Sequence, residues 1–318
     1  MKIVKNDITA PHMNLALEEW LMQNVSDDVF MLWQNEPSVI IGRYQNAYAE
    51  FDLSYAEKNA IKIARRLSGG GAVYHDFGNL NFTFIVDDYG EDINFTRFLE
   101  PIIKTLKEHG ASVEMSGRND LLIDGMKVSG NSQCRKYGRI LHHGTLLYHF
   151  DPDVMSNILK VNADKLKSKG ISSVRSRVTS LCKYIDCKDL NELRNAIEEK
   201  VNGDEYVLTE EQLREVKALC DEKYSKWEFI YGTSKSFSKS VNQHFDGGNV
   251  TVDLDSDGGI IKEIRIYGDF FSFSDVSDAE KALVGVRLEK SEIISALKNA
   301  KFDIYKITLE EISSLILK

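Results

Sequence analysis

The chain has 318 residues, 42% of them hydrophobic and 28% charged, enough for two domains with a sizeable core. Its formal net charge of −9 excludes a nucleic-acid binder that lives on phosphate contacts, though not a local basic site made by Arg65, Arg66 and Lys127. No run approaches the roughly 18 apolar residues of a membrane span, no signal-peptide core opens the chain, and Cys134, Cys182, Cys187 and Cys220 lack CxxC spacing, so a cytoplasmic protein with reduced thiols and no membrane partner is expected.

Residues 13–25 carry Leu17, Trp20 and Leu21 at helical spacing with Glu18 and Glu19 beside them, which predicts an amphipathic helix. Residues 29–33 and 38–41 are apolar runs split by the turn Asn35-Glu36-Pro37 and read as a β-hairpin. Gly42-Arg43-Tyr44-Gln45-Asn46 ends it as a donor-rich loop. A short helix over 54–59 and a strand over 61–65 lead into Gly69-Gly70-Gly71. Residues 79–86 alternate, with Leu80, Phe82, Phe84 and Val86 on one face of a half-buried strand. Residues 94–109 put Phe95, Phe98, Leu99, Ile102, Ile103 and Leu106 on one stripe, a helix stopped by Gly110.

Strands are predicted over 121–123, 126–130 and 140–150, with Asp124-Gly125 a hairpin turn that sets Lys127 near the start of the returning strand. Helices follow over 153–159, 173–181, 189–201 and 209–224, the last opened by a Thr209/Gln212 capping box. The Ser-, Lys- and Gly-rich stretch 232–248 is taken as a boundary between domains 1–246 and 249–318. Beyond it Val250, Val252 and Leu254, then Ile264 and Ile266, predict a hairpin, and 278–283, 291–299 and 308–317 predict helices packed on it. Strands first and helices later argue for an α+β fold.

The three glycines cannot be helix interior and are poor strand, but they let another molecule approach the backbone. Successive N–H groups in such a turn bind an anion, and Arg65 and Arg66 bring charge to the same place. There is no Gly-Lys-Ser/Thr ending of a P-loop, and Tyr74 stands where a dinucleotide fingerprint has its third glycine. Read alone, the triplet is equally a tight hairpin turn beside solvated arginines, and for Lys127 a solvent-facing lysine on a hairpin is the commoner reading. His142 and His143 would face opposite sides of a strand, a poor metal pair, so no metal site is expected.

Taken jointly, five stretches resemble the lipoate–protein ligase family. They are Arg-Arg-x-Ser-Gly-Gly-Gly-Ala-Val-x-His-Asp-x-Gly-Asn over 65–79, Gly-Arg-Asn-Asp over 117–120, Lys-Val-Ser-Gly over 127–130, His-His-Gly-Thr-Leu-Leu over 142–147, and Lys-Gly-Ile-x-Ser-Val-Arg-Ser-Arg-Val over 169–178. The resemblance covers nearly the whole chain. It implies a large mixed-sheet catalytic domain with flanking helices and a small α+β C-terminal accessory domain. It implies a monomeric enzyme that activates lipoate with ATP and Mg²⁺ to lipoyl-AMP, then modifies a lysine of a lipoyl domain of a 2-oxoacid dehydrogenase complex or of the glycine cleavage H-protein. By the same resemblance Lys127 contacts the acyl-adenylate, and Arg66, Ser68, Gly70, Gly71, Ala72, Val73 and Tyr74 contact nucleotide. Asn79, Asp120 and His143 are supporting polar groups, and the 42–46 segment lies near the acyl pocket.

Three other readings stay open. An acyltransferase of the same superfamily needs a nucleophilic thiol, for which Cys134 is the candidate, although a buried inert thiol is the commoner reading. A biotin ligase fits the glycine loop and the His-His-Gly motif less well. A non-catalytic binder of acyl nucleotides or lipoyl domains would have no need of Lys127.

Overall fold

Short apolar runs become strands. In the computed structural model, which describes residues 1–90, 94–116, 119–160, 178–231 and 238–318, these strands make three sheets. Those of the first 231 residues are β1 (Lys2–Lys5), β2 (Val29–Trp33), β3 (Ser38–Ile41), β4 (Lys62–Arg65), β5 (Val73–His75), β6 (Asn79–Asp87), β7 (Glu114–Ser116), β8 (Asp120–Ile123), β9 (Met126–Lys136), β10 (Arg139–Leu147) and β11 (Asp204–Val207). A large mixed sheet has the order β11-β1-β2-β6-β10-β9-β8-β7, and a small one the order β4-β3-β5. The described helices here are α1 (Pro11–Asn24), α2 (Ala47–Glu50), α3 (Leu53–Lys58), α4 (Thr96–Glu108), α5 (Pro152–Ile158), α6 (Leu190–Val201), α7 (Glu210–Leu219) and α8 (Trp227–Tyr231).

The expected hairpin of 29–33 with 38–41 is corrected, because β2 and β3 lie in different sheets. Every residue of both is buried. Each strand therefore needs cover on two faces, and a surface hairpin does not supply it. Within the half-buried connection Asn35 is itself buried, with the Asn14 amide donating to its Oδ1 at 2.9 Å.

The predicted amphipathic helix is α1, but it has no wet side between Asn14 and Met22. Glu18 and Glu19 are each about 1% exposed and take partners inside the protein. The strand expected to be half-buried, β6, is buried from Asn79 to Val86. Leu80, Phe82, Phe84 and Val86 join a core with Phe98, Leu99, Ile102 and Leu106 of α4 and Leu193 and Ile197 of α6. Asn79, Asn81 and Thr83 alternate onto the other face.

Residues 173–177 of one predicted helix lie outside the described residues. Its end is not helical: Val178 bridges Lys127, and Leu181–Lys183 is a single 3₁₀ turn. The capping box of Thr209 and Gln212 is present at the start of α7, and a π-helical turn follows at Cys220–Tyr224.

The third sheet is antiparallel, in the order β12 (Lys239–Phe245), β13 (Gly248–Asp257), β14 (Ile260–Gly268). Helices α9 (Val276–Leu283), α10 (Lys290–Asn299) and α11 (Leu309–Leu317) pack on it over a core that includes Val250, Val252, Ile264, Leu283, Leu297 and Ile316. The boundary expected between residues 246 and 249 falls on the β12–β13 turn and is corrected. Phe245 pairs with Gly248 and Lys239 with Leu254, so β12 belongs to this C-terminal unit. The architecture is α+β, a large mixed sheet with flanking helices and a smaller C-terminal unit. Among the described residues no helix is long and apolar enough to cross a membrane.

Candidate functional site

The glycine loop joins β4 to β5. Gly70 has φ +87°, which an L-residue adopts only under strain. A Cβ on Gly69 would overlap the Phe270 carbonyl, and one on Gly42 would overlap the Gly70 carbonyl, so both are glycine for close approach. A Cβ on Gly71 would meet nothing within 4 Å. The loop is thus packed at its first two glycines and open at its third.

Both preceding arginines are buried and turned into the protein. Arg65 Nη1 donates to the Gly42 carbonyl at 2.8 Å and the Gln45 carbonyl at 2.7 Å, and Nη2 to the Ile230 carbonyl at 2.6 Å. Arg66 Nη2 donates to the Gly69 and Gly71 carbonyls at 2.7 and 2.8 Å, Nη1 to the Ile40 carbonyl, and Nε to Ser68 Oγ at 3.1 Å. Burial pulls both guanidinium groups down to about 10, which leaves them charged near neutral pH. Arg66 is therefore the internal brace of the loop, and its charge lies beneath the backbone rather than projecting from it.

A buried chain of hydrogen bonds fixes the loop to the large sheet. Ser68 Oγ lies 2.6 Å from His143 Nε2, and His143 Nδ1 lies 2.9 Å from Glu18 Oε1. Thr83 Oγ1 donates to Glu18 at 2.6 Å, and Trp33 Nε1 donates to Thr83 at 2.8 Å. Ser132 Oγ lies 2.7 Å from Ser68 Oγ and 2.8 Å from the Gly69 carbonyl, its one proton within reach of both. With Glu18 accepting the Nδ1 proton, Nε2 is left as acceptor for the Ser68 hydroxyl.

Lys127 sits on β9 with its ammonium 2.7 Å from Asp120 Oδ1, and both side chains are mostly buried. The ammonium lies across Gly130, where a Cβ would stand 2.7 Å from Nζ. Residues 127 and 130 of a regular strand face opposite sides. Here Leu121 pairs with Ser129 but Leu122 with Lys127, leaving Val128 as the extra residue of a bulge. The bulge resets the alternation, so Lys127, Gly130 and Asp120 share a face. Ser132, the residue that grips the glycine loop, is on that face about 7 Å further along β9.

By register, His143 opposes Thr83 and Thr145 opposes Asn81. Asn79, Asn81, Thr83, His143 and Thr145 therefore form one polar layer. Asn79 Nδ2 donates to Asn81 Oδ1 at 2.9 Å, while Asn79 Oδ1 and Asn81 Nδ2 are buried without a partner. Such atoms are few in native proteins and mark unused hydrogen-bonding capacity. His75 joins Asn35 at 3.1 Å, and burial pushes it down to about 3, so it is neutral. As the sequence implies, His142 faces away from His143, stacked 4.7 Å from Phe98.

Of the expected site residues, Arg66, Ser68, Gly70, Gly71, Asn79, Asp120, Lys127 and His143 meet on this layer and its loop. Ala72 and Val73 are half-exposed where the loop leaves, while the Tyr74 ring packs in the core of the small sheet. Gly117, Arg118 and residues 169–177 lie outside the described residues. The half-buried Cys134 has its thiol pushed up to about 12, by burial first and Glu18 second. Sequence reasoning missed Glu18, Asn81, Thr83 and Ser132; the polar alternation along β6 was the one signal that could have found two of them.

The C-terminal unit covers the loop. The Gly70 N–H donates to the Phe270 carbonyl at 3.2 Å, and the Gly268 N–H to the Tyr44 carbonyl at 2.7 Å. Phe270 stacks on Tyr44 at 5.2 Å. Phe271 is 1% exposed and belongs to the core under α4, a burial that stabilises by roughly 1.5–3 kcal/mol.

Two family models match. One described as the lipoyl protein ligase A/B catalytic domain covers residues 10–202. The other, described as the bacterial lipoate protein ligase C-terminus, covers residues 234–316. The chain is 39% identical to lipoate-protein ligase LplJ of Bacillus subtilis, over 99% of each chain. Among solved structures, P. falciparum LipL1 in complex with lipoate has a TM-score of 0.85 at 24% identity over 99% of each chain, a likeness of fold. A lipoate-protein ligase A bound with ATP has a TM-score of 0.63 at 29% identity, over 73% of this chain and 98% of the other.

Proposed function

The chain belongs to the lipoate–protein ligase family, and from that premise we propose how its groups divide the reaction. It is an ATP-dependent ligase that activates lipoate to lipoyl-AMP, releases pyrophosphate and passes the lipoyl group to a protein lysine. In the first step a lipoate carboxylate oxygen attacks the α-phosphorus of ATP, and the α–β bridging oxygen leaves with pyrophosphate. In the second a lysine amine adds to the acyl carbon, gives up its proton, and AMP leaves. Negative charge grows on phosphate oxygens first and on the acyl oxygen second, and fixed donors in a dry site stabilise both.

Lys127 supplies the positive charge for both steps, its ammonium turning from Asp120 to the reacting oxygens. The open amides at Gly71, with the backbone of Ala72 and Val73, meet the nucleotide. Gly70 shapes that turn, Arg66 braces it, and Tyr74 anchors its exit. Ser68, His143 and Glu18 lock the loop against the sheet, and Asn79 and Asn81 offer their unpartnered atoms to ligand. Mg²⁺ would accompany the nucleotide, and Asp120, released when Lys127 turns away, is the carboxylate that would help hold it. It would neutralise charge on the leaving pyrophosphate.

The acceptor is a lipoyl domain of a 2-oxoacid dehydrogenase complex or the glycine cleavage H-protein. In this reading the enzyme is a cytoplasmic monomer, and one chain carries the groups named for both steps. Residues 239–318 act as the accessory domain that covers the loop. The observation that carries this reading is the Lys127 ammonium laid across Gly130, on the strand whose Ser132 grips the glycine loop.

The test mixes protein, ATP, lipoate and a lipoyl domain. Pyrophosphate release that needs lipoate, with a lipoyl mass gain on the domain, is expected; release without mass gain, or neither, overturns the reading. The cysteine-dependent transferase is disfavoured by the raised Cys134 thiol. Cys134→Ser should keep most activity and show no acyl-thioester by intact mass.

A further inference from the structure

Away from the polar layer, three metal-ligating side chains meet where α4 ends and α6 begins. His109 caps the C-terminus of α4, and Asp186 and Cys187 lie just ahead of α6. One ligand atom from each lies within 4.8 Å of the other two. His109 Nδ1 is 2.7 Å from Asp186 Oδ1. The backbone holds them in register: the Asp186 N–H donates to the His109 carbonyl at 3.1 Å, and the Tyr148 hydroxyl to the Cys187 carbonyl at 3.3 Å. Among the described residues this is the one such group.

We propose that His109, Asp186 and Cys187 form a binding site for a thiophilic divalent cation such as Zn²⁺, with water as fourth ligand. Donor atoms of a tetrahedral zinc site are roughly 3.3–3.8 Å apart, given bonds of about 2.0–2.3 Å. The three side chains need to move by about an ångström or less to reach that geometry. Imidazole, thiolate and one carboxylate suit zinc, whereas Mg²⁺ and Ca²⁺ prefer oxygen alone.

The surroundings favour a cation. The carboxylates of Glu192, Asp186 and Asp189 bear on the Cys187 thiol, and the negative end of the α4 dipole points at His109. A thiolate ligand gives up its proton, so binding releases that proton to water and opens the His109–Asp186 hydrogen bond. The Asp186 carboxylate is 76% exposed and gives the ion an entry path. A bound ion would tie together the two helices that cover the apolar face of the large sheet, opposite the face of Asn81 and His143.

Co²⁺ titration of the reduced full-length protein, without nucleotide, reads this directly. One equivalent should produce a thiolate-to-cobalt charge-transfer band, strengthened as pH rises and bleached by Zn²⁺. Cys187→Ser should abolish the band, and Cys182→Ser should leave it. Asp186→Asn, at an exposed position that does not threaten folding, should weaken binding by about tenfold or more, since even outer-shell partners count for that. No band in excess metal, a band that survives Cys187→Ser, or unchanged affinity in Asp186→Asn would each overturn the site. His109 and Asp186 would then be a surface ion pair beside a buried thiol.

Discussion

His143 Nε2 lies 2.6 Å from Ser68 Oγ, and this contact fastens the glycine loop to the middle of the large sheet. The histidine is held in turn by Glu18 from α1, so three distant parts of the chain meet in one buried line. A loop fixed this way keeps its amides aimed before any nucleotide arrives, which lowers the cost of binding.

Glu18→Gln should test that line. It keeps the side chain's shape but weakens the charge-assisted bond to His143, for an expected loss of about 1–3 kcal/mol in unfolding free energy. KM for ATP should rise more than kcat falls, because the loop loses its aim rather than its chemistry. His143→Leu removes one of the two donors to the Glu18 carboxylate and leaves Thr83 as the other, which should cost about 1–3 kcal/mol. Urea melts with steady-state kinetics decide it; a wild-type Glu18→Gln in both measurements removes Glu18 from the site.

Lys127→Ala should lose roughly 10²–10³ in the rate of both half-reactions, as for removal of one oxyanion donor. Lys127→Arg should recover little, since a planar fork does not replace a compact ammonium. Gly130→Ala is the sharper variant. Its Cβ would meet the far end of the Lys127 side chain, so the ammonium moves while the fold stays. A normal melt with a rate close to that of Lys127→Ala is expected. Full activity in Gly130→Ala would show that the lysine's resting place does not matter.

The glycines of the loop should separate in their effects. Gly70→Ala should lower stability by roughly 1–2 kcal/mol from its positive φ alone. Gly71→Ala should melt like the parent, because its Cβ meets nothing within 4 Å. If the open side of Gly71 is where the nucleotide sits, KM for ATP should rise about tenfold, a loss near 1.4 kcal/mol. Unchanged ATP kinetics in Gly71→Ala would move the nucleotide elsewhere.

Acid should unfold the protein in two stages. His75 falls from 6.5 to about 3 on folding, so the unfolded chain takes up a proton first and stability drops as pH falls below 6.5. Glu19 falls from 4.5 to about 2, through hydrogen bonds from Lys223, Tyr137 and Tyr224 that outweigh its burial. Its contribution, about 3 kcal/mol, is complete above pH 4.5 and is lost as pH falls toward 2. Urea midpoints across pH should show both stages, and Glu19→Gln should flatten only the lower one.

What was legible followed from the reach of each signal. The glycine loop, Lys127 and His143 lie within short local motifs, and β9 and β10 carry the groups that hold the loop to the sheet. Glu18 was not legible as a partner, because 125 residues separate it from His143 and its helix carried an amphipathic pattern. Alternation in β6 set Leu80, Phe82, Phe84 and Val86 on one face, as their shared core requires, but periodicity cannot tell whether the opposite face, with Asn79, Asn81 and Thr83, is covered by polar groups or by water. Strict alternation also puts Lys127 and Gly130 on opposite faces, and only the Val128 bulge brings them together. The strands β1, β7 and β11 have 4, 3 and 4 residues, too few to show a period.

Phe271 gives the molecule a history as well as a shape. The interior beneath α4 is built from residues made early in synthesis, yet one of its rings is supplied from near the end of the 318-residue chain. A nascent chain that has reached Asp246 holds every strand of the large sheet but neither β13, the partner of β12, nor that ring. Until the ribosome has passed Phe271, the growing protein carries an apolar gap that a chaperone or another nascent chain can enter. Closing of this core therefore waits on the unit that follows the large sheet, and a chain stopped short of Phe271 is expected to leave the space beneath α4 one ring short.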